Sequence, residues 1–338
     1  MNTSETNCEL YSAPSLTLTL TNNCNSKCMM CDYWKNYSHN YVSLEDVKVL
    51  LPQMLELKTQ TVTLTGGEPL LHPNWTEIAR EIKRFGIKIH LMTNGLLLNK
   101  YHDEIINLID DITVSMDGGT EATYRTIRGV KAYDKVTKDI KKVTEKGGKV
   151  RIRAIIQRLN YNEIPLMIEN AMRAGATITF QQMDILSLQA YGVGDSEMLK
   201  VRYEELKEFL LSEEDLVEFE RLLYRITDEY QEQFKTGMIR DTPQQLFTML
   251  DYFKGVQGLA EFSPSKCNLP FFSPVIDSDL SVRPCFFLPS TGLLDVDRLC
   301  LSLNTPSAIE SRKKVINREY KECVQCVVSR YKTVNGVG

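Results

Sequence analysis

The chain has 338 residues, of which 43% are hydrophobic and 25% charged, and its formal net charge at pH 7 is −4. These values are typical of one large globular domain or two, with enough apolar residues for a full core. A mildly acidic chain without blocks of lysine or arginine is a poor candidate for nucleic-acid binding, which requires a concentrated basic surface. The first residues lack the basic and apolar regions of a secretory signal, and no run is long and apolar enough to span a bilayer. The sequence therefore predicts a cytoplasmic protein without a membrane partner.

Six segments of strand character alternate with segments of helical periodicity in the first half of the chain. The first strand, 15–21, alternates polar and apolar residues, and the helix that follows begins at the N-cap Ser43. This alternation predicts parallel βαβ units with right-handed crossovers, as in a doubly wound sheet or a partial or complete β/α barrel. In each of these folds the ligand lies beyond the carboxyl ends of the strands. The other predicted strands are 61–65, 87–93, 111–117, 150–156 and 177–183, and the other predicted helices are 74–85, 98–109, 133–146 and 162–174.

The pattern changes in the second half of the chain. Residues 187–262 are acidic and helix-forming, which predicts solvated amphipathic helices that could act as a linker or a lid. Proline, serine and aspartate become frequent from residue 263 onward, and five of the nine cysteines lie there, which predicts a small module stabilised by metal. We therefore divide the chain into a tail (1–14), a core (15–186), a helical linker (187–262) and a C-terminal module (263–338).

Three cysteines lie in the loop after the first strand, at Cys24, Cys28 and Cys31. In a reducing compartment, cysteines are more often ligands or reactive groups than disulfides. A structural zinc site normally takes four protein ligands, and no fourth cysteine or histidine lies nearby in the sequence. A cubane iron–sulfur cluster offers another solution, in which three irons take thiolates and the fourth iron is open to a non-protein ligand.

The C-x3-C-x2-C loop, together with "TGGEP" one βα unit later, resembles the radical S-adenosylmethionine (SAM) superfamily. The resemblance covers residues 15 to about 183. It implies a partial (β/α)6 barrel in which Cys24, Cys28 and Cys31 bind a [4Fe-4S] cluster together with SAM. It also implies an external electron donor such as flavodoxin or ferredoxin.

The same resemblance implies which residues bind SAM. "TGGEP" corresponds to the segment that holds the methionyl amino group, and the glycines of such a turn let backbone groups approach a ligand that a Cβ would exclude. "MTNG" and "SMDG", after the third and fourth strands, are also similar to family segments. The residues implied are Gly66, Gly67, Glu68 and Pro69 for the amino group, and Ser115 and Arg128 for the carboxylate or ribose.

Met30 stands where the family usually has an aromatic residue in its cysteine motif. The usual ring contact to the adenine of SAM therefore needs another source. Tyr33, two residues after Cys31, is the candidate that replaces it.

The C-terminal module carries Cys267, Cys285, Cys323 and Cys326. By count alone, four thiolates fit a zinc knuckle as well as an iron–sulfur cluster. The order of barrel, helical linker and cysteine module resembles the twitch or shortened SPASM extensions of radical SAM enzymes. That resemblance implies a second, auxiliary [4Fe-4S] cluster held by all four thiolates.

Two cysteines remain outside these sets. Cys8 lies in a polar tail and receives no role. Cys300, in "DRLCLSLN", is expected to be a small buried hydrophobe. A catalytic alternative is that Cys300 donates a hydrogen atom to a substrate radical, as a spare cysteine does in related radical epimerases.

The resemblance implies an enzyme that reductively cleaves SAM to a 5′-deoxyadenosyl radical, which removes hydrogen from a C–H bond. The expected substrate is a small polar natural product, such as a sugar or an aminoglycoside-like molecule, that is oxidised, epimerised or rearranged. One alternative is a maturase or epimerase of ribosomal peptides, although only about fourteen residues precede the first strand, fewer than a winged-helix peptide-binding domain needs. Another alternative is a non-catalytic iron–sulfur or zinc-binding partner protein. Such a protein would not need a SAM-binding segment, so the presence of "GGEP" argues against it.

Overall fold

The structure is a computed structural model that describes residues 9–35, 38–185, 201, 204–262, 266–324 and 326–327. Cys8 lies outside these ranges. Six parallel strands form the core, each followed by helical structure. The strands are β1 (Ser15–Thr21), β2 (Thr61–Gly66), β3 (Lys88–Thr93), β4 (Asp111–Ser115), β5 (Val150–Ile156) and β6 (Thr177–Gln182).

The helices between these strands agree with the sequence pattern except at one place. The segment between β4 and β5 holds two helices, and the first of them was not predicted from the sequence. It has an N-cap at Thr120 and ends at Gly129, which has a positive φ of 70°. The helices are α1 (Leu44–Glu56), α2 (Trp75–Arg84), α3 (His102–Leu108), α4 (Glu121–Arg128), α5 (Tyr133–Glu145) and α6 (Ile164–Arg173).

The six strands follow one another in sequence order across the sheet, from β1 to β6. Every crossover therefore moves in the same direction, which places the crossover helices on one face, since such connections are right-handed. A doubly wound sheet would reverse its strand order, and this sheet does not. The sheet also does not close on itself, which confirms the prediction of a partial barrel.

The strand register separates the sheet into two faces of different chemistry. Leu18, Leu64 and Leu91 are register partners and therefore project to the same, buried face. Register partners on the opposite face carry polar groups, and we call this the inner face. It includes Thr19 and Thr65 on β1 and β2, Thr113 and Ser115 on β4, and Arg151 and Arg153 on β5.

After β6, the described residues 204–207 are helical and precede the helices α7 (Glu213–Glu229), α8 (Gln231–Lys235) and α9 (Pro243–Val256). Phe219 of α7 and Phe253 of α9 are fully buried and meet edge to face, with ring centroids 6.4 Å apart. Between α8 and α9 the chain covers the free edge of β6, because Ile178 donates to Met238 (2.9 Å) and Arg240 donates back to Ile178 (2.8 Å). The described part of the predicted linker or lid thus forms a packed wall at the β6 edge.

The C-terminal module extends the core sheet at its other side. Strand β7 (Val275–Ile276) pairs in parallel with β1, and β8 (Ser281–Arg283) and β9 (Gly292–Leu293) continue it as antiparallel strands. The helices α10 (Leu299–Ser302), α11 (Pro306–Ile316) and α12 (Lys321–Val324) follow. Among the helices described, none has the length and apolar character needed to cross a membrane.

Candidate functional site

The cysteine loop, residues 22–32, leaves the carboxyl end of β1 and is held by the loop that follows β2. The backbone N–H of Gly67 donates to Thr21 (2.8 Å), and that of Glu68 donates to Asn23 (2.8 Å). These bonds tie the "GGEP" segment directly to the start of the cysteine loop.

The two glycines of that segment are required by this close approach. A Cβ on Gly67 would lie 2.4 Å from the carbonyl oxygens of Asn22 and Asn23, and one on Gly66 would lie 2.2 Å from that of Thr21. From the sequence we expected the glycines to make room for a ligand. In the structure, the glycines instead allow close contact with the backbone at the end of β1 and the start of the cysteine loop.

The other side of the cysteine loop rests on the end of α4. Lys27 donates to the carbonyl of Arg128 (3.1 Å), and Met29 donates to that of Ile127 (3.0 Å). Gly129, which ends α4, faces the carbonyl of Lys27, and a Cβ there would lie 2.4 Å from that oxygen. The loop is therefore fixed on both flanks by backbone hydrogen bonds, a rigid base for its three thiols.

Glu68 is fully buried and bonds to neighbouring protein groups. Its carboxylate accepts from the Thr93 hydroxyl (2.8 Å) and from the backbone N–H groups of Asn94 (2.8 Å) and Leu70 (3.2 Å). Burial raises the pKa of Glu68 to about 7. Pro69 is buried beside it and begins a short 3-10 helix, 69–71. Glu68 therefore connects the ends of β2 and β3.

We predict that Glu68→Ala lowers the free energy of unfolding by about 2–4 kcal/mol, since it removes the acceptor of three donors in a buried environment. Chemical denaturation of the purified variant measures this change. Glu77→Ala, which alters an exposed carboxylate on α2, is the control and should change stability by less than about 0.5 kcal/mol. Equal stabilities for the two variants would contradict the structural role of Glu68.

The three thiols of the loop share one environment. Burial raises the pKa of Cys24, raises that of Cys28 to about 11 and raises that of Cys31 to about 12. Nearby Cys24 raises the pKa of both other thiols further, and Cys28 raises that of Cys31. The positive charge of Arg128 opposes this shift in all three cases. Because thiolates are the metal-binding form of cysteine, such thiols become ligands when a bound metal supplies positive charge.

Arg128 is buried beside the cysteine loop and pairs with Asp117, which follows β4. Its Nη1 lies 2.9 Å from Oδ2 of Asp117, whose other oxygen accepts from the N–H of Ile155 (2.8 Å). Burial lowers the pKa of Arg128, but the nearby Cys28 and Asp117 raise it by more, so that the pKa is raised overall. Its Nε has no hydrogen-bond partner among the described residues. Ser115, at the end of β4, is partly exposed on the inner face.

Asn94 is a site residue that the sequence analysis did not single out, although its "MTNG" motif was noted. Its side-chain amide donates to Asn25 (2.7 Å) and approaches Sγ of Cys24 at 3.8 Å. Its backbone N–H donates to Glu68. The end of β3 thereby joins the ends of β1 and β2 around one cysteine.

Tyr33 and Met30 are both buried, and Tyr33 faces the C-terminal module. Burial raises the pKa of Tyr33 to about 12, and the adjacent guanidinium of Arg283 on β8 opposes the shift. Arg283 also donates to the Asp277 carboxylate (2.7 Å) and to the carbonyl of Phe286 (2.8 Å). Tyr33 therefore links the cysteine loop to the strand that leads to Cys285.

The structure brings the four C-terminal cysteines together. Burial raises the pKa of Cys285 and of Cys323 to about 12 each, and nearby Cys267 raises both further. The four side chains line one pocket, whose other walls are mainly apolar. The lining cysteines are Cys267, Cys285, Cys323 and Cys326.

Within the ranges that the structure describes, no group of three or more His, Cys, Asp or Glu side chains is arranged to hold a single metal ion. By residue type, thiolates suit both zinc and iron–sulfur clusters.

Cys300 lies at the end of β1 that is remote from the cysteine loop. It is exposed on α10, beside Asn304, whose side chain accepts from the N–H of Leu10 (2.7 Å). Leu10 precedes the amino end of β1, whereas the cysteine loop follows its carboxyl end, and a strand of seven residues spans roughly 20 Å. The prediction of a buried hydrophobe is therefore wrong, and the role of hydrogen-atom donor stays a prediction.

Comparisons with known proteins agree with this geometry. Residues 18–171 match the model of the radical SAM superfamily. A probable GTP 3′,8-cyclase of Saccharolobus islandicus is 32% identical over 184 residues, which cover 53% of this chain and 58% of the relative. The chain thus spans little more than half the length of this curated relative.

Solved structures share the fold over a longer stretch. Streptococcus suis SuiB bound to its precursor peptide SuiA is 18% identical with a TM-score of 0.66, covering 90% of this chain and 67% of SuiB. The enzyme anSMEcpe with bound AdoMet and a peptide is also 18% identical, with a TM-score of 0.64, covering 93% of this chain and 88% of that one. At this identity the likeness shows the fold, which here extends into the C-terminal module.

Proposed function

The chain belongs to the radical SAM superfamily, and we propose that it cleaves SAM reductively and removes a hydrogen atom from a C–H bond of its substrate. The observation that carries this proposal is the cysteine loop, in which three buried thiols are fixed between the "GGEP" segment and the end of α4. A scaffold protein would not need this arrangement at the carboxyl ends of the strands.

Cys24, Cys28 and Cys31 would hold the [4Fe-4S] cluster, and the remaining coordination position would be open to SAM. When bound, the cluster supplies the electron for SAM cleavage. Glu68 and Gly67 hold the loop in place, and Arg128 contributes positive charge beside the thiols. The partly exposed Ser115 is available to SAM on the inner face, as is the edge of the Arg128 guanidinium that Asp117 does not occupy.

We further propose that the C-terminal cysteines hold an auxiliary [4Fe-4S] cluster. The support is the single pocket that all four line and the mainly apolar character of its other walls. Excluding water from a cluster is one of the means by which a protein sets its potential.

Iron and zinc analysis tests the auxiliary assignment. After anaerobic reconstitution we expect about eight irons per chain, since each cubane contains four. Replacing the four C-terminal cysteines with serine should lower this to about four while the protein still forms 5′-deoxyadenosine. About four irons with one zinc in the wild type would assign the module to zinc and leave the SAM site unaffected.

The comparisons give no support to the expected sugar or aminoglycoside-like substrate. The curated relatives are GTP 3′,8-cyclases, and the structural neighbours include an enzyme bound to its precursor peptide. We propose that the substrate that reacts beside SAM is a peptide, because the fold shared with that enzyme covers 90% of this chain. A one-electron donor such as flavodoxin or ferredoxin would deliver the electron.

The test of the proposed activity is formation of 5′-deoxyadenosine from SAM by the reconstituted protein with dithionite, measured by mass spectrometry. Product formation would support the enzyme. A protein with its full iron content that forms none would favour the non-catalytic iron–sulfur partner instead.

A further inference from the structure

Ser26 and Asn94 lie beside the thiol of Cys24. We propose that the side chains of both residues donate hydrogen bonds to sulfur atoms of the proposed first cluster and thereby raise its reduction potential. This inference rests on the proposed function, because it concerns the cluster that the cysteine loop would hold. Neither residue is a proposed ligand, so each is a positioning residue that acts through the sulfur atoms.

The thiol of Cys24 already accepts hydrogen bonds from the protein. The backbone N–H of Ser26 donates to its Sγ (3.4 Å), and the side-chain amide of Asn94 approaches the same atom at 3.8 Å. Burial raises the pKa of Cys24, and both donors oppose that rise because they favour the charged thiolate. The backbone arrangement recurs in the C-terminal module, where the N–H of Leu269 donates to Sγ of Cys267 (3.5 Å). Donors aimed at sulfur are therefore a feature of both cysteine sets.

The amide of Asn94 is held with its donor side toward Cys24. Its Oδ1 accepts from the backbone N–H of Leu96 (3.0 Å), and its Nδ2 donates to Oδ1 of Asn25 (2.7 Å). Rotating the amide by half a turn would lose both bonds, so these bonds determine which end faces the thiol. An amide nitrogen carries two hydrogens, and Asn25 takes one of them. The second hydrogen is available to the sulfur of Cys24.

The hydroxyl of Ser26 is a buried polar group in the cysteine loop itself. Ser26 lies between Cys24 and Cys28 and is only 1% exposed, and its Oγ has no hydrogen-bond partner among the described residues. Buried polar atoms are rarely left unsatisfied in native proteins, so this hydroxyl indicates a missing partner. The thiolate and sulfide sulfurs of an iron–sulfur cluster accept hydrogen bonds. A cluster held by this loop would therefore supply the acceptor that Ser26 lacks.

The sign of the effect follows from the charge. Reduction adds one electron to a cluster, and hydrogen bonds to its sulfurs stabilise the more negative state more than the oxidised one. Each donor should therefore raise the reduction potential and make the cluster easier to reduce by an external one-electron donor. Removing a donor should lower the potential.

The experiment measures the midpoint potential of the first cluster in the reconstituted protein, by redox titration monitored with electron paramagnetic resonance. The signal that is absent from the variant lacking Cys24, Cys28 and Cys31 identifies this cluster. We expect Ser26→Ala to lower the equilibrium constant for one-electron reduction about tenfold, which corresponds to about 59 mV. Asn94→Asp keeps the side-chain shape and its Oδ1 acceptor but replaces the donor with a carboxylate, so it should lower the constant by at least as much.

Ser307→Ala and Asn107→Asp are the matched controls, because they make the same chemical changes at exposed positions on α11 and α3. Both should leave the potential unchanged. A Ser26→Ala protein with the potential of Ser307→Ala, or with a higher potential than the wild type, would overturn the inference for Ser26.

An Asn94→Asp protein that loses about half of its iron would assign Asn94 to the construction of the loop and overturn its tuning role. Ser26→Ala removes one buried atom and keeps the loop backbone, so it then decides whether side-chain donors tune the cluster. Formation of 5′-deoxyadenosine by the wild type is scored separately. A wild type that holds the cluster and cleaves no SAM would contradict the proposed function, while the potentials of the variants would still test the two donors.

Discussion

Replacing Cys24, Cys28 and Cys31 together with alanine is expected to abolish formation of 5′-deoxyadenosine and to remove about half of the iron from the reconstituted protein. The three thiols lie on one loop that backbone hydrogen bonds fix on both flanks, and they are the ligands that the proposed first cluster requires. Removing them leaves no thiolate at this end of β1, while the four C-terminal cysteines keep their own cavity. Iron analysis and mass spectrometry of the same preparation measure both effects.

Cys300→Ala is the matched control for this experiment. Cys300 is an exposed cysteine that lies at the opposite end of β1, so its loss should change neither the iron content nor SAM cleavage. If the triple variant still cleaves SAM at a comparable rate, the cysteine loop is not the site of the first cluster. A control variant that loses activity would return Cys300 to consideration as a functional thiol.

Gly67→Ala is expected to disrupt the same site without removing any proposed ligand. The added Cβ would lie 2.4 Å from two backbone oxygens of the cysteine loop, and backbone cannot rotate away as a side chain can. Either the loop moves or the variant loses at least about 3 kcal/mol of stability, which is the upper part of the usual range for overpacking. We expect SAM cleavage to fall more than tenfold and the iron content to approach that of the triple cysteine variant.

Gly86→Ala provides the comparison for this clash. Gly86 has a positive φ of 73°, but a Cβ there meets no atom within 4 Å. Its cost is the backbone strain alone, about 1–2 kcal/mol for a left-handed residue, and the cluster should be retained. If Gly67→Ala behaves like Gly86→Ala, the loop tolerates displacement and the tight junction is not essential.

The sequence predicted the six core strands and the cysteine loop because both are local signals. Period-two alternation in 15–21 and 150–156 appears directly in the order of residues, as does the spacing of the three thiols. On β5, Arg151 and Arg153 alternate with buried residues, and the strand register places the two arginines on the inner face.

The missed features depend on contacts between distant parts of the chain. The burial of Glu68 depends on Thr93 and Asn94, so a motif alone could not show that its carboxylate supports the fold. Helix α4 was missed because it is one short element between the predicted strand 111–117 and the predicted helix 133–146, although Thr120 and Gly129 are suitable caps. Cys300 was misjudged because its leucine neighbours suggested a core, whereas helical geometry buries Leu299 and turns Cys300 outward.

The pairing of β7 with β1 also determines how the chain can be divided. The N–H groups of Ser15 and Thr17 donate to the carbonyls of Phe272 and Pro274, both at 3.0 Å, so the C-terminal module covers the outer edge of β1. A chain truncated near residue 262 would leave that edge unpaired in the strand that leads into the cysteine loop. Exposed strand edges recruit further chains by backbone pairing, which makes self-association the expected fate of the isolated barrel. The C-terminal segment thus covers the strand edge of the half of the chain that carries the cysteine loop, whatever its own cysteines bind.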